Sequence, residues 1–220
     1  MPEIEDQPVA RPDYHQLVRE EVVPLMPKMG GTLLDVGGGV GATAMRMKEL
    51  GLVERAGVVD LVAASANPGI DFAHGGNLED PALLDRVTEA EGPFSAILCL
   101  DVLEHLVDPW DTVARLHQSL APGGVIVASI PNIRHFTASL PLFFGNKWTL
   151  EDDGILDRTH LRFFVRETAI ELMTHSGLVL EEVRGSASNA KRIHLFRKLT
   201  LGLLNSFTDL QYLIRVRRAD

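Results

Sequence analysis

Acidic and glycine residues near position 40 form the segment of the sequence best suited to bind a cofactor. Asp35 is followed by Gly37, Gly39 and Gly41, and Asp60 lies 25 residues after Asp35. Glycine lets the chain turn tightly and lets a ligand approach the backbone. An acid at the end of the next strand can accept hydrogen bonds from both hydroxyls of a ribose. The pattern predicts a cofactor that contains adenosine.

Asp35 indicates which adenosine cofactor this is. In dinucleotide-binding folds the glycines are spaced Gly-x-Gly-x-x-Gly and hold a pyrophosphate at a helix N-terminus. This chain has the spacing Gly-x-Gly-x-Gly, and a carboxylate precedes the first glycine by two positions. A carboxylate repels pyrophosphate but anchors an ammonium group. S-adenosylmethionine (SAM) carries an ammonium, a cationic sulfonium and a ribose but no phosphate, so the charges favour SAM over a nicotinamide dinucleotide.

Histidines in the predicted loops are candidates for a catalytic base. Methyl transfer from a sulfonium is an in-line displacement, so orientation supplies most of the acceleration, although a hydroxyl acceptor gains from a base. His160 is the first candidate because Asp157 lies close enough in sequence to orient its ring. His135 and His105 follow, and for all three a purely bracing role stays open. The turn around His105 has a sufficient explanation in cofactor binding, so we expect no metal site.

Short apolar runs alternate with helical stretches along the chain, which predicts βαβ units and a parallel sheet. The predicted strands span 32–36, 56–60, 94–100, 125–130, 178–183 and 211–217. The predicted helices span 14–26, 42–50, 81–91, 110–120, 167–176 and 193–204, and Asp80 is the expected N-cap of the third. Residues 61–76 should form a loop with at most a short helix, and 140–157 an irregular lid.

The composition sets the class of protein. The 220 residues carry a net charge of −9 and are 45 % hydrophobic, which is typical of one globular α/β domain. The only cysteine, Cys99, excludes an intrachain disulfide and a cysteine-built zinc site. The acidic N-terminal region and the lack of a long apolar run predict a cytoplasmic protein without signal peptide or membrane span. The negative net charge also argues against a nucleic-acid partner, because it repels the phosphate backbone.

Three segments resemble motifs of the class I SAM-dependent methyltransferases. Leu-Leu-Asp-Val-Gly-Gly-Gly-Val-Gly at 33–41 resembles their first motif, 94–106 is similar to their fourth strand and the turn after it, and 120–132 to their fifth strand. The resemblance extends over about 14–183. It implies a single Rossmann-like domain over 1–220, with a mostly parallel seven-stranded sheet, helices on both faces and an antiparallel last strand. The run 154–164 further resembles small bacterial methyltransferases of saccharide and cell-surface polysaccharide assembly.

The resemblance also implies which residues bind SAM. The glycine turn would line its methionine end, Asp60 would hold its ribose, and Asn77, where relatives usually have Asp, would meet its adenine. The turn 100–105 would pass beneath the sulfonium, and an N-terminal helix would close over SAM with Arg19 on its carboxylate. The full expected set is Tyr14, Arg19, Asp35, Gly37, Gly38, Gly39, Gly41, Asp60, Asn77, Leu78, Leu100, Asp101 and His105.

The expected activity is methyl transfer from SAM to a hydroxyl of a small molecule or saccharide. Residues 133–166 would form the substrate loop, 1–30 an N-terminal helix or lid, and 186–209 a helical insertion before the last strand. Two alternatives stay open: N-methylation of an amino-sugar or natural-product amine, and a SAM-binding partner subunit without catalysis. The sequence does not indicate the oligomeric state.

The C-terminal part of the chain is basic, unlike the rest. Residues 184–220 include eight Lys and Arg but two acidic residues. Within 191–204 the basic groups share a predicted helix with one apolar face, which is formed by Ile193, Phe196, Leu199, Leu203 and Leu204. Such a helix either contacts anionic lipid at a membrane surface or packs on the sheet. Packing is favoured, because the strand that follows ties the end of the helix to the core.

Overall fold

The computed structural model describes residues 17–63, 66–187 and 191–219, so Tyr14 and the first residues of the predicted N-terminal helix lie outside the described residues. Seven strands form one sheet in the order β3-β2-β1-β4-β5-β7-β6. The strands are β1 Thr32–Val36, β2 Arg55–Asp60, β3 Phe72–Gly75, β4 Phe94–Leu100, β5 Leu120–Pro131, β6 Val179–Ala187 and β7 Asp209–Arg217.

Helices flank the sheet and connect its strands. The α-helices are α1 Ala42–Glu49, α2 Pro81–Glu91, α3 Pro109–Ser119, α4 Phe136–Gly145, α5 Arg166–Thr174 and α6 Lys191–Leu199. Short 3₁₀ helices span Glu20–Leu25, Leu103–His105 and Asn205–Phe207. The pairs among β3, β2, β1, β4 and β5 are all parallel, whereas β7 runs antiparallel to both neighbours. The predicted Rossmann-like class is confirmed.

The core has two layers, one on each face of the sheet. Along β4, Ile97 and Cys99 pack against the layer that includes α2, α3 and α5, while Ala96 and Leu98 pack against the layer that includes α1. Because helices cover both faces, the central strands are apolar at nearly every position instead of alternating. Because these strands are parallel, their carboxyl ends share one edge of the sheet, where open α/β sheets bind ligands.

Two predicted loops contain regular structure. The strand β3 lies within 61–76, where the sequence predicts a loop, and its Phe72 ring packs flat over Gly57 of β2. The helix α4 occupies the start of the predicted lid, and the His135 side chain caps it by accepting from the Thr137 N–H at 3.4 Å. The strand β3 is short and depends on a tertiary contact, which local pattern does not encode, whereas the cap of α4 is local.

The terminal predictions are wrong in extent. The described part of the N-terminal segment is a 3₁₀ helix over Glu20–Leu25 that contains Pro24, not a continuous α-helix to Met26. Proline removes a backbone donor and clashes with the preceding turn, which shortens the helix. At the other end, α6 stops at Leu199, and 200–204 form a turn instead of continuing the helix. Within the described residues, no helix is long and apolar enough to cross a membrane.

The edge strand β3 depends on the absence of a side chain at Gly57. A Cβ at this position would lie 2.1 Å from Cε2 of Phe72, whereas a Cβ on Gly75 of β3 would meet nothing within 4 Å. We expect Gly57→Ala to lower the free energy of unfolding by about 1–3 kcal/mol through overpacking. Urea denaturation followed by circular dichroism measures this, with Gly75→Ala as matched control. Equal losses in the two variants would contradict the packing account.

Candidate active site

The turn between β1 and α1 is held in a left-handed conformation at alternate residues. The φ angles of Gly37, Gly39 and Gly41 are +69°, +57° and +78°, values that favour glycine. A Cβ on Gly38 would lie 2.3 Å from Cγ of Asp35, so the turn packs directly on that carboxyl. Gly37, Gly39 and Gly41 therefore serve the backbone angles of the turn, and Gly38 serves its close contact with Asp35.

Asp35 supplies a buried acceptor at the bottom of this cradle. The residue is 1 % exposed, and its Oδ1 has no hydrogen-bond partner among the described residues. Burial, reinforced by the negative charge of Asp60, raises the pKa of Asp35 to about 7. Leu17, Arg19, Thr43 and Leu100 complete the walls of the cleft. An orphaned carboxylate oxygen fits the ammonium group of an amino acid, as the glycine spacing predicts.

The volume of this cleft is about 50 Å³. That volume admits a group the size of a water molecule and not a nucleoside. A molecule as large as SAM therefore extends beyond it along the open carboxyl edge of the sheet.

Asp60 and the residues after β3 lie at that edge. The Asp60 carboxylate accepts the Gly39 N–H at 2.8 Å and the Val62 N–H at 2.9 Å. A carboxylate has about four lone-pair positions, so both oxygens keep capacity for ribose hydroxyls. The Oδ1 of Asn77 accepts the N–H of Glu79 at 3.0 Å, and Asn77 itself is exposed. Leu78, the other expected adenine contact, is half-buried against the core.

Arg19 joins the N-terminal segment to the ends of β4 and β7. It pairs with Asp101 Oδ2, and its Nε and Nη2 donate to Glu21 at 2.5 Å and to Gln211 at 3.2 Å. The other Asp101 oxygen accepts the Ser129 hydroxyl at 2.7 Å. The guanidinium is thus shared between side chains of the protein, and its expected pairing with the SAM carboxylate stays a prediction.

The turn after β4 brings Glu104 and two histidines together. Glu104 is 1 % exposed, and neither of its carboxylate oxygens has a partner among the described residues. His160 Nε2 lies 3.9 Å from Glu104 Oε1, and the His105 and His160 ring centroids are 4.6 Å apart. Burial and the charge of Asp101 raise the pKa of Glu104 well above its ordinary value. Burial and His160 lower the pKa of His105.

A model of one protein family matches most of the chain. The family is described as a methyltransferase domain, and the match covers residues 11–183. The chain belongs to this methyltransferase family. The ubiquinone biosynthesis O-methyltransferase of Aromatoleum aromaticum is 29 % identical to it over 201 residues, which cover 86 % of this chain and 79 % of that protein.

Solved structures of SAM-dependent enzymes share the fold of this methyltransferase. A SAM-dependent methyltransferase from Mesorhizobium loti superposes with a TM-score of 0.58 at 18 % identity, covering 90 % of this chain and 96 % of that one. Phosphoethanolamine N-methyltransferase 2 of Haemonchus contortus, solved with SAM, gives 0.54 at 15 % identity, covering 88 % and 50 %. The protein is a SAM-dependent methyltransferase. That the Asp35 cradle holds the methionine end of the cofactor stays a prediction.

The expected role of Asp157 in the methyltransferase needs correction. Its Oδ1 accepts the N–H of Thr159 at 2.7 Å and the Thr159 hydroxyl at 2.6 Å, and not the His160 ring. Burial opposes ionisation here, but these two bonds outweigh it and lower the pKa of Asp157. Thr159 in turn contacts His105 Nδ1 at 3.0 Å. Asp157 therefore orients His105 through Thr159, and Glu104 takes the place beside His160.

The structure separates His135 from the other candidate bases. Its ring is buried, which lowers its pKa, and its Nδ1 faces the Thr137 hydroxyl at 2.8 Å at the start of α4. No contact among the described residues joins it to the Glu104 cluster. Glu104 is a site residue that the sequence analysis does not name. Its position beside His105 can be seen in the sequence, but its approach to a histidine in a distant loop cannot.

The raised pKa of Asp35 predicts a pH-dependent cofactor affinity. The ionised carboxylate attracts the ammonium of S-adenosylhomocysteine (SAH), so affinity should rise with pH up to about 7 and fall by up to about tenfold per pH unit below it. Calorimetric titration with SAH between about pH 5.5 and 7.5 measures this. Asp35→Asn should bind more weakly and without that slope. If the SAH affinity of the wild type does not change over this pH range, the assignment is contradicted.

Proposed function

We propose that this methyltransferase transfers the methyl group of SAM to a hydroxyl on a ring-bearing small molecule, which includes saccharides, with His160 as the base. SAM supplies an electrophilic methyl on a sulfonium. The observation that carries the proposal is the buried, unpartnered Glu104 carboxylate 3.9 Å from His160 Nε2. A carboxyl group in this position places a second group that can exchange a proton beside the ring nitrogen.

The tautomer of His160 supports its role as an acceptor of protons. Its Nδ1 lies 3.1 Å from the carbonyl oxygen of Ile155, which can only accept a hydrogen bond. Nδ1 must therefore carry the hydrogen, which leaves the lone pair on Nε2, the atom nearest Glu104. At 3.9 Å the two groups do not hydrogen-bond directly, so the Nε2 lone pair can accept the proton of a substrate hydroxyl.

Aromatic side chains beside His160 suit a ring-shaped acceptor. The Phe163 ring centroid lies 6.3 Å from that of His160 and 5.1 Å from that of Trp148, and both aromatic residues are partly exposed. Such a wall can stack on a planar ring or on the apolar face of a sugar. This supports the substrate loop expected over 133–166, although its first part is the helix α4.

Oxygen is the preferred acceptor atom for two reasons. The named relatives are O-methyltransferases of ubiquinone biosynthesis. In addition, a hydroxyl must lose its proton during the reaction and benefits from a base, whereas an amine with a lowered pKa already has its lone pair. N-methylation and a non-catalytic SAM-binding subunit are the outcomes that compete with this proposal. Incubating candidate sugars, phenols and amines with ¹³C-methyl SAM, followed by mass spectrometry and NMR, identifies the methylated atom.

Substitutions in the Glu104 cluster should separate catalysis from cofactor binding. We expect His160→Ala to lower turnover by about 10²-fold or more while SAH affinity stays unchanged. Glu104→Gln keeps the shape but removes the titratable acid, so it should lower turnover less and shift the pH–rate profile. His194→Ala, an exposed histidine on α6, is the control. Equal losses of turnover and SAH affinity would make His160 a structural brace, and full activity of both variants would favour an amine acceptor.

The same cluster also offers a donor set for a divalent cation. Ligand atoms of Glu104, His105 and His160 lie within 4.8 Å of one another. The expected absence of a metal therefore stays a prediction, and the assay above tests it when run with EDTA. Unchanged turnover supports the base. A loss that Mg²⁺ or Mn²⁺ restores would replace the base with a cation.

We also propose that the stretch 191–204 contacts anionic membrane surfaces from the cytoplasmic side. The sequence favours packing of the apolar face of α6 on the sheet, but none of the described residues of this helix is buried. Leu199 and Leu201 are 74 % and 86 % exposed, beside Lys191, Arg192 and Lys198. Exposed leucines next to basic groups are typical of interfacial helices.

Vesicle flotation tests this contact. We expect the protein to float with phosphatidylserine vesicles at low salt and to lose this when Lys191, Arg192 and Lys198 are changed to Gln. Replacing Arg46, Arg86 and Arg158 with Gln removes as much charge elsewhere and should leave flotation intact. Arg197 is kept in both variants because it pairs with Asp209. Failure of the wild type to float, or equal flotation of the two variants, would contradict the proposal.

A further inference from the structure

A second cavity lies at the carboxyl edge of the sheet, beside β5 and β7. It measures about 360 Å³ and is lined by residues from the ends of several elements. None of these residues belongs to the SAM cleft or to the Glu104 cluster. With each water in the liquid occupying about 30 Å³, the cavity has room for about twelve, which exceeds the size of a bare phosphate.

Two residues that line this cavity carry buried polar atoms without partners among the described residues. Tyr212 is 1 % exposed, and its hydroxyl oxygen has no hydrogen-bond partner among the described residues. Asn205 Oδ1 is buried and unpartnered in the same way. Burial and the nearby Asp209 raise the pKa of Tyr212 to about 12, which keeps its hydroxyl a donor at neutral pH. Buried polar groups are normally satisfied, so two such groups at one cavity point to a polar ligand.

Two arginines supply the positive charge in the lining of the cavity. The Arg134 guanidinium lies 4.5 Å from the ring centroid of Phe207, which positions it without a carboxylate. Arg166, at the start of α5, forms no ion pair within 4.0 Å in the described part of the chain. Guanidinium groups of this kind recognise phosphate and carboxylate groups.

Acceptor groups in the same lining indicate that the ligand also carries hydroxyls. Glu167 and Asp209 contribute carboxylates, and Asp209 is held by Arg197. A Cβ on Gly185 would lie 2.1 Å from Cγ of Asp209, so this glycine makes room for the acid. Carboxylates would repel a simple anion but accept hydrogen bonds from a polyol. We propose that this cavity binds a sugar phosphate, with its phosphate on the arginines and its hydroxyls on the acids and Asn205.

Asn132, which directly follows β5, holds the cavity wall that contains Asn205. The Asn132 Nδ2 donates to the carbonyl oxygens of Ser206 at 2.7 Å and of Asp209 at 2.8 Å. Because these bonds are buried, the 3₁₀ helix and the start of β7 are held against the carboxyl end of β5. The proposed site is therefore preformed and does not depend on methyl transfer.

Titration with glucose 6-phosphate, glucose and inorganic phosphate tests the proposal. We expect calorimetry and thermal shift to detect glucose 6-phosphate binding to the wild type, at least tenfold tighter than binding of either fragment. Arg134→Gln with Arg166→Gln should weaken it at least tenfold. Tyr212→Phe should also weaken it, although the fold keeps its ring. Arg158→Gln, an exposed arginine that pairs with Asp152, should bind as the wild type does.

SAH affinity is measured on every variant and should stay unchanged, which separates this site from the proposed methyl transfer. The proposal is overturned if the wild type binds none of the three probes. Equal affinity for phosphate and glucose 6-phosphate would also overturn it, since the hydroxyls would then contribute nothing. The same conclusion follows if the Arg134 and Arg166 variant binds as tightly as Arg158→Gln.

Discussion

Repulsion of the buried Asp35 and Glu104 by the half-buried Asp60 and Asp101, at the carboxyl edge of the sheet, is the constraint that organises this protein. Asp60 raises the pKa of Asp35, and Asp101 raises that of Glu104, in addition to the effect of burial on each. Arg19 opposes both effects from its place against Asp101. An edge with this charge is best satisfied by a cationic ligand, and SAM carries two positive centres. The same charge makes a pyrophosphate cofactor unfavourable at the turn.

This arrangement also divides the edge into regions with different tasks. The glycine turn and Asp60 lie at the ends of β1 and β2. Here a cofactor can come close to the backbone and can be held by N–H groups and carboxylates. The turn after β4 carries Glu104, at which the residues 155–163 of the substrate loop converge. Beyond β5 the edge becomes richer in arginine, around Arg134 and Arg166.

The sequence predicts well what depends on local pattern. Strands β1 and β4 and the helix α2 with its Asp80 cap lie where their apolar runs and capping residue predict them. The glycine turn is equally readable because only glycine tolerates its backbone angles. Contacts between distant segments could not be predicted. The pairing of Phe72 with Gly57, the approach of Glu104 to His160 and the use of Asp157 by Thr159 all depend on how loops meet after folding.

Calorimetric titration of the purified protein with SAH and, separately, with NAD⁺ tests the central claim that the acidic edge selects a cationic, phosphate-free cofactor. SAH retains the ammonium and ribose of SAM, so the account predicts saturable binding of SAH at one equivalent per chain. It predicts no heat from NAD⁺, whose pyrophosphate would meet Asp35. Saturable NAD⁺ binding, or the absence of SAH binding, would contradict it.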